Sequence, residues 1–270
     1  MNAGVDVLDL IDPERYARRG YPHDAWTKLR EEAPVAYFAP EGWEPFWAIT
    51  KHADIVEISK QPLRFSSARG ITLLRAGVVI PPSEMVVMVD PPKHGPVRRV
   101  ANRRFTPRAV REQRDDIERI AVEILDRAAP AGSSGDLDFV DRIAAPFPLG
   151  VIAWILGVPP ADWEHLFRWT NEVIGKDDPE YRRPDESPGQ TIKRARGEGH
   201  AYFRRLIDER RKDPQDDLMS ELIRGEIDGK QLTEEQLVSY CELFVEAGNE
   251  TTRNAISGGL IAFSDHRDQW

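Results

Sequence analysis

Cysteine is almost missing from this sequence. A single thiol, Cys241, stands in 270 residues, so no internal disulfide can hold the fold, as expected for a reducing cytosol. Nor is there a stretch approaching the roughly 20 uninterrupted apolar residues that a membrane span requires. The N-terminal "MNAGVDVLDLIDPERYARRG" has no basic-then-apolar order, so no signal peptide is expected and the location expected is cytoplasmic. Basic charge is in deficit: the formal net charge is -9, which argues against bulk binding of nucleic acid or anionic membrane. No internal repeat and no low-complexity tract is visible. What is present, 40% hydrophobic and 31% charged residues, suffices for a real core in one large domain or two small ones.

Patterning predicts a mainly α chain with a small β portion. "PHDAWTKLREEAP" reads as a helix ending at Pro34, and "VAYFAPEGWEPFWAIT" as a β-hairpin around a Pro/Gly-containing turn. "KHADIVEISKQP" returns to helical spacing. From Ser66 to Val89 the sequence is apolar and aperiodic, an irregular loop long enough to suggest a function. Asp90 is available to cap a helix starting in "DPPKHGPVRRVANRRF". Another helix starts at Thr106 as cap with Pro107 in its first position and runs through "REQRDDIERIAVEILDRAA". Further helices are expected at about 139–157, 160–175, 190–212 and 215–225, with a charged Pro/Gly-rich loop, "GKDDPEYRRPDESPGQ", before Thr191. The last helix opens on a capping box, Thr233 with Gln236, and continues for about 30 residues, on the order of 45 Å.

That helix holds "GNETT", a run of weak helix formers, amid apolar residues. Leu237, Cys241, Phe244, Gly248, Thr251/Thr252 and Ala255 recur at steps of three and four, so the run is expected on the core-facing stripe. A glycine there leaves a notch beside the backbone, a mid-helix threonine can bond back to a preceding carbonyl, and Glu250 is an acid next to that hydroxyl. Together they point to a small-molecule or oxygen pocket. Close helix packing at Gly248 with a solvated Glu250 is the plainer alternative.

The pattern has company. "AGNETT" resembles the Ala/Gly-Gly-x-Asp/Glu-Thr-Thr block of the long distal helix of the cytochrome P450 family, and "DPPKHGPVRR" resembles that family's Asp-Pro-Pro-x-His-x-x-x-Arg helix. The hairpin, the apolar loop and "DDLMSELI…LTEEQL" fall in the family's order, so the similarity covers essentially the whole chain. "AGNETTRN" is similar to actinobacterial members acting on steroids and branched lipids. The resemblance implies the N-terminal part of the P450 fold, residues 1–270 forming a single incomplete domain that ends just after the distal helix.

It also implies a haem-dependent monooxygenase that inserts one oxygen atom of dioxygen into a hydrophobic substrate, with electrons from a ferredoxin-type donor. Glu250 and Thr251 would be catalytic, Glu250 in the proton path and Thr251 hydrogen-bonding the dioxygen. His94 and Arg98 would bind the haem propionates, and Ala247, Gly248 and Thr252 would line the haem groove. The segment from Arg98 to Arg114, which includes Arg99, Arg103, Arg104, Arg108 and Arg111, reads as a solvated face, or by resemblance as a patch for the acidic electron donor. The loops at 66–89 and 175–190 would frame the substrate entrance.

One family feature has no match: the cysteine loop whose thiolate ligates the haem iron. Cys241 lies in an apolar helical stripe and reads as a small buried hydrophobe, so no metal ligand is assigned. The Glu-x-x-Arg helix has no match either; "ELIR" and "ETTR" lie too early. The chain is therefore expected to be a C-terminally truncated portion, catalytically incompetent and without a normal haem-thiolate centre when alone. A non-catalytic helical protein binding a lipid-like ligand or another chain is the alternative, and a nucleic-acid-binding role would rest on the arginine run alone.

Overall fold

The computed structural model describes residues 2–175 and 178–270. Lys176 and Asp177, in the charged loop expected at 175–190, lie outside the described residues. The chain divides into two compact units, Met1–His94 and Gly95–Trp270.

In the first unit, short helices α1 (Leu8–Ile11), α2 (Pro13–Arg19) and α3 (His23–Glu32) precede a hairpin of β1 (Val35–Phe38) and β2 (Phe46–Ile49), followed by α4 (His52–Ser59). The strands are antiparallel, with Phe38 opposite Phe46 and Tyr37 opposite Trp47. Alternation along a strand sends these pairs to opposite faces. Phe38 and Phe46 stack 5.6 Å apart against a core of Val5, Leu29 and Ala36, while Tyr37 and Trp47 remain exposed.

The apolar run after α4 holds only one 3₁₀ turn, Val86–Met88, so the irregular loop expected there is present. Its middle is tied to the hairpin turn: Glu44 N–H donates to the Leu74 carbonyl at 2.9 Å, and the Arg75 guanidinium lies 3.8 Å from the Trp43 ring centre. Asp90 does not cap a helix with its side chain. Its carboxylate instead accepts from the Ser66 hydroxyl and, at 3.0 Å, from the Ser67 N–H, so it closes the base of the loop across 24 positions of sequence. The Ser66 hydroxyl and the Ser67 N–H hold the Asp90 carboxyl below its ordinary value of 3.8. A depressed carboxylate contributes order above its unfolded pKa and loses it as pH falls through the folded value. Limited proteolysis within 66–89 is therefore expected to accelerate below about pH 4, and Asp90→Asn is expected to give the fast rate already at neutral pH.

The second unit is helical: α5 (His94–Ala101, whose first residue closes the first unit), α6 (Pro107–Glu112), α7 (Arg114–Ala128), α8 (Pro146–Leu156), α9 (Trp163–Ile174), α10 (Pro188–Lys212), α11 (Leu218–Arg224), a two-residue hairpin of β3 (Glu226–Ile227) and β4 (Lys230–Gln231), and α12 (Glu234–Asp265). Thr106 caps α6 by accepting from Ala109 N–H at 3.2 Å, as its sequence demands. The single helix expected from there to residue 128 is two, broken at Gln113, whose side chain donates to the Arg104 carbonyl. The helix expected at 139–157 likewise opens with a π turn over Val140–Ala144 before α8.

α8 is apolar on nearly every side and sits at the centre of this unit, against α7, α9 and α12. Gly150 makes that possible: a Cβ there would lie 2.8 Å from the Trp163 ring and 3.2 Å from Ile120 Cγ2. Gly150→Ala is expected to destabilise by about 1–3 kcal/mol through overpacking, despite the better helix propensity of alanine. A denaturation midpoint equal to or above wild type would contradict that packing.

Candidate active site

The long last helix runs from Glu234 to Asp265, opened by the capping box expected: Gln236 N–H donates to Thr233 Oγ1 at 3.2 Å and Thr233 N–H to Gln236 Oε1 at 2.9 Å. At about 100° per residue its side chains divide into three faces.

The first face packs. Leu237, Val238, Cys241 and Val245 are buried, and Gly248 meets α8, where a Cβ would lie 3.3 Å from Ile152 Cγ1. The stripe drawn from the sequence needs correction on this point. It is core-facing only up to Gly248, whereas Thr251, Thr252 and Ala255 on the same stripe are exposed. The cleared space at Gly248 is occupied by Ile152 and does not open as a notch. Cys241 is fully buried with Sγ 3.7 Å from Met219 Sδ. Burial raises its thiol far above the ordinary range, which suits the hydrophobic role read from sequence.

The second face is anchored at one end and open at the other. Tyr240 donates its hydroxyl to the Val97 carbonyl of α5, and Phe244 stacks on Phe105 at 5.3 Å. Continuing by steps of three and four, the same face reaches Ala247 and Thr251, both exposed. The Thr251 hydroxyl bonds back to the Ala247 carbonyl at 2.8 Å, the mid-helix alternative available to threonine. Arg98, the residue after the anchored Val97, is exposed. Among the described residues its guanidinium has no carboxylate partner, nor do those of Arg99, Arg103 and Arg111. Arg104, Arg108 and Arg114 are paired with Asp216 and Glu221, Glu112, and Glu118. His94 is half-buried at the first position of α5, with its N–H bonded to the Asp90 carbonyl at 3.0 Å.

The third face is polar and was not read from the sequence. It carries Glu242, Glu246, Asn249 and Arg253 toward α9 and α10. Glu250 sits at its edge, between this face and the open one. Its Oε1 accepts from the Arg253 guanidinium and, at 3.3 Å, from Asn254 Nδ2, while Arg253 Nη1 reaches Asn171 Oδ1 of α9 at 3.3 Å. The spacing of 242, 246, 249 and 253 opposite Arg196 and His200 was the available signal.

The chain has relatives among known proteins. No protein-family model matches it. A steroid C26-monooxygenase of Mycobacterium bovis is 36% identical over 97% of the chain, which spans 61% of that protein. A linalool 8-monooxygenase of Pseudomonas putida is 34% identical over 97% of the chain and is spanned to 65%. A Mycobacterium marinum cytochrome P450 solved with pseudoionone superposes with a TM-score of 0.81 at 31% identity, covering 91% of this chain and 61% of its own. This chain belongs to the cytochrome P450 family. It spans about three fifths of the length of the P450s it matches, and its mainly helical architecture corresponds to an N-terminal portion of theirs.

A haem placed in a P450 needs a flat open wall, cations for its propionates and a thiolate for its iron. The open face at Ala247 and Thr251 would offer small residues for such a wall, and Arg98, without a carboxylate partner among the described residues, is a guanidinium of the kind that forks onto a carboxylate. Cys241 does not suit the iron, being enclosed within the packed face. Among the described residues no helix is long and apolar enough to cross a membrane, and no cluster of His, Cys, Asp and Glu could hold a metal ion.

Proposed function

We propose that this chain supplies the oxygen-facing wall of a haem-dependent monooxygenase that inserts one atom of dioxygen into a hydrophobic substrate of steroid or branched-lipid type. The single observation that carries the reading is the continuous face of α12. It is hydrogen-bonded at Tyr240 beside the unpaired Arg98 and left open at Ala247 and Thr251 two turns on.

Bound haem would supply the oxygen activation. Arg98 would hold a propionate, with His94 as a second donor. Ala247 and Thr252 would shape the wall and Gly248 would let it pack close to α8. Thr251 would turn its hydroxyl from the Ala247 carbonyl toward the substrate side, and Glu250, one residue away, would hand it a proton. Electrons would come from a ferredoxin-type partner docking on Arg98, Arg99, Arg103 and Arg111 of the segment from Arg98 to Arg114, in a cytoplasmic setting.

The test is turnover by a haem-thiolate enzyme whose oxygen-facing wall this chain supplies and whose iron takes a thiolate other than Cys241, with a ferredoxin, its reductase and a steroid or methyl-branched lipid under isotopically heavy dioxygen. One heavy oxygen atom in the product supports the reading. Haem binding that responds neither to Arg98→Ala nor to any hydrophobic ligand overturns it.

A further inference from the structure

The polar face of α12 holds groups whose burial the oxygen-facing wall does not explain. Glu242 and Glu246 are one turn apart and largely covered, with side chains 13% and 20% exposed. α10 brings Arg196 and His200 onto them. His200 Nε2 is 3.0 Å from Glu242 Oε2, and Arg196 Nε is 2.7 Å from Glu242 Oε1 and Nη2 3.5 Å from Glu246 Oε1. The Arg196–Glu242 approach is off the hydrogen-bonding axis, so Glu242 Oε1 is enclosed without a hydrogen-bond donor among the described residues. α9 brings no charge to the group; Trp169, Thr170 and Val173 complete the lining of a cavity of about 30 Å³, room for a water molecule.

One turn further along the same face, Asn249 is fully buried, and neither its Oδ1 nor its Nδ2 has a partner among the described residues. Leaving a buried amide in that state is costly, and a bridging water would satisfy it. Beyond Asn249 the face ends at the Arg253–Glu250 pair.

We propose that this stripe is the proton supply of the site: His200 takes protons from solvent, the Glu242–Glu246 pair stores one, and water held at Asn249 passes it to Glu250. The inference rests on the oxygenase reading, in which Glu250 needs a proton for each turnover. In each transfer the Glu246 carboxyl gives up its proton and becomes a carboxylate, and the Glu250 carboxylate becomes a carboxyl. His200, hydrogen-bonded to Glu242, then passes on a proton from solvent that restores the Glu246 carboxyl, and Glu250, a carboxylate again once it has donated, faces the Arg253 guanidinium.

The charges at the pair favour storage. Burial, followed by the charge of Glu242, pushes the Glu246 carboxyl up to about 7. Burial also works to raise Glu242, but the hydrogen bond from His200 and the charge of Arg196 outweigh it and hold Glu242 below its ordinary value. Two carboxyls with separated affinities share one proton at neutral pH. Sequence spacing alone would make them a solvated acidic pair; the covering helices make them a reservoir.

Two measurements test this. In the chain itself, infrared difference spectra are expected to show a protonated-carboxyl stretch that disappears as pH rises through about 7, is absent in Glu246→Gln and persists in Glu250→Gln. A band that survives Glu246→Gln overturns the storage site. In the haem-thiolate enzyme whose wall this chain supplies, Glu246→Gln is expected to raise the fraction of reducing equivalents lost as peroxide several-fold and to flatten its pH profile, with substrate KM unchanged and Glu246→Asp restoring much of the coupling. If Glu250→Gln uncouples the enzyme while Glu246→Gln leaves the pH profile as in wild type, the supply route is wrong and the oxygenase reading stands. If neither carboxyl affects coupling, both fall together.

Discussion

Replacing Arg210 with alanine is expected to cost about 3–5 kcal/mol of stability, a large part of what a domain of this size possesses. Arg210 Nε lies 2.5 Å from Asp217 Oδ2, and its Nη2 donates to the Gly157 carbonyl at 2.7 Å. Asp217 is 5% exposed and caps α11 through Ser220 N–H at 2.8 Å. Gly157, in left-handed conformation at φ +79°, ends α8 against the Asp217 carboxylate. Three helices, α8, α10 and α11, therefore meet at one arginine. Removing it leaves an enclosed carboxylate with its cap and no counter-charge, the arrangement in which ion-pair deletion is most damaging. Denaturant midpoints at neutral pH measure the loss. Arg210→Lys is expected to recover only part of it, because an ammonium cannot reach both the carboxylate and the carbonyl with a fixed fork. A midpoint for Arg210→Ala within experimental scatter of wild type would show that the junction is held by packing alone.

Glu250→Gln is expected to have the opposite profile. Its ion pair with Arg253 is short-range on one helix and partly exposed, at 22% for the glutamate, so the stability cost is at most about 1 kcal/mol. A glutamine oxygen can still accept from Arg253 and Asn254, which keeps the local shape. It can no longer carry a proton. In a haem-thiolate enzyme whose wall this chain supplies, product formation is expected to fall about 100-fold, the lower end of what a positioned acid contributes, while substrate-binding constants stay as they were. The measurement is kcat with the accompanying peroxide yield. An unchanged kcat would remove Glu250 from the proton path, and a changed substrate Kd would assign it to the substrate cavity.

The fold was legible in sequence where local chemistry is decisive. The caps at Thr106 and Thr233, the hairpin around its Pro/Gly turn and the long last helix all rest on interactions within a few residues. Local signals failed where a distant group competes. Asp90 looks like a cap, but two serines on the far side of a loop offer its carboxylate better donors. The break at Gln113 has no proline or glycine to announce it; the Arg104 carbonyl draws its side chain away. At the site, Ala247, Gly248, Glu250 and Thr251 could be singled out by type. That Gly248 faces Ile152, and that Asn249 is sealed without a partner among the described residues, could not.

By itself the sequence determined which residues of α12 share a face, because a helix repeats every 3.6 residues whatever surrounds it. It could not determine what each face meets. Helix packing decided that Gly248 closes onto α8, that Ala247 and Thr251 stay open, and that Glu242 and Glu246 lie beneath Arg196 and His200. The reason is physical: periodicity is a property of one segment, whereas burial, and the electrostatics it amplifies, belongs to the helices that cover it.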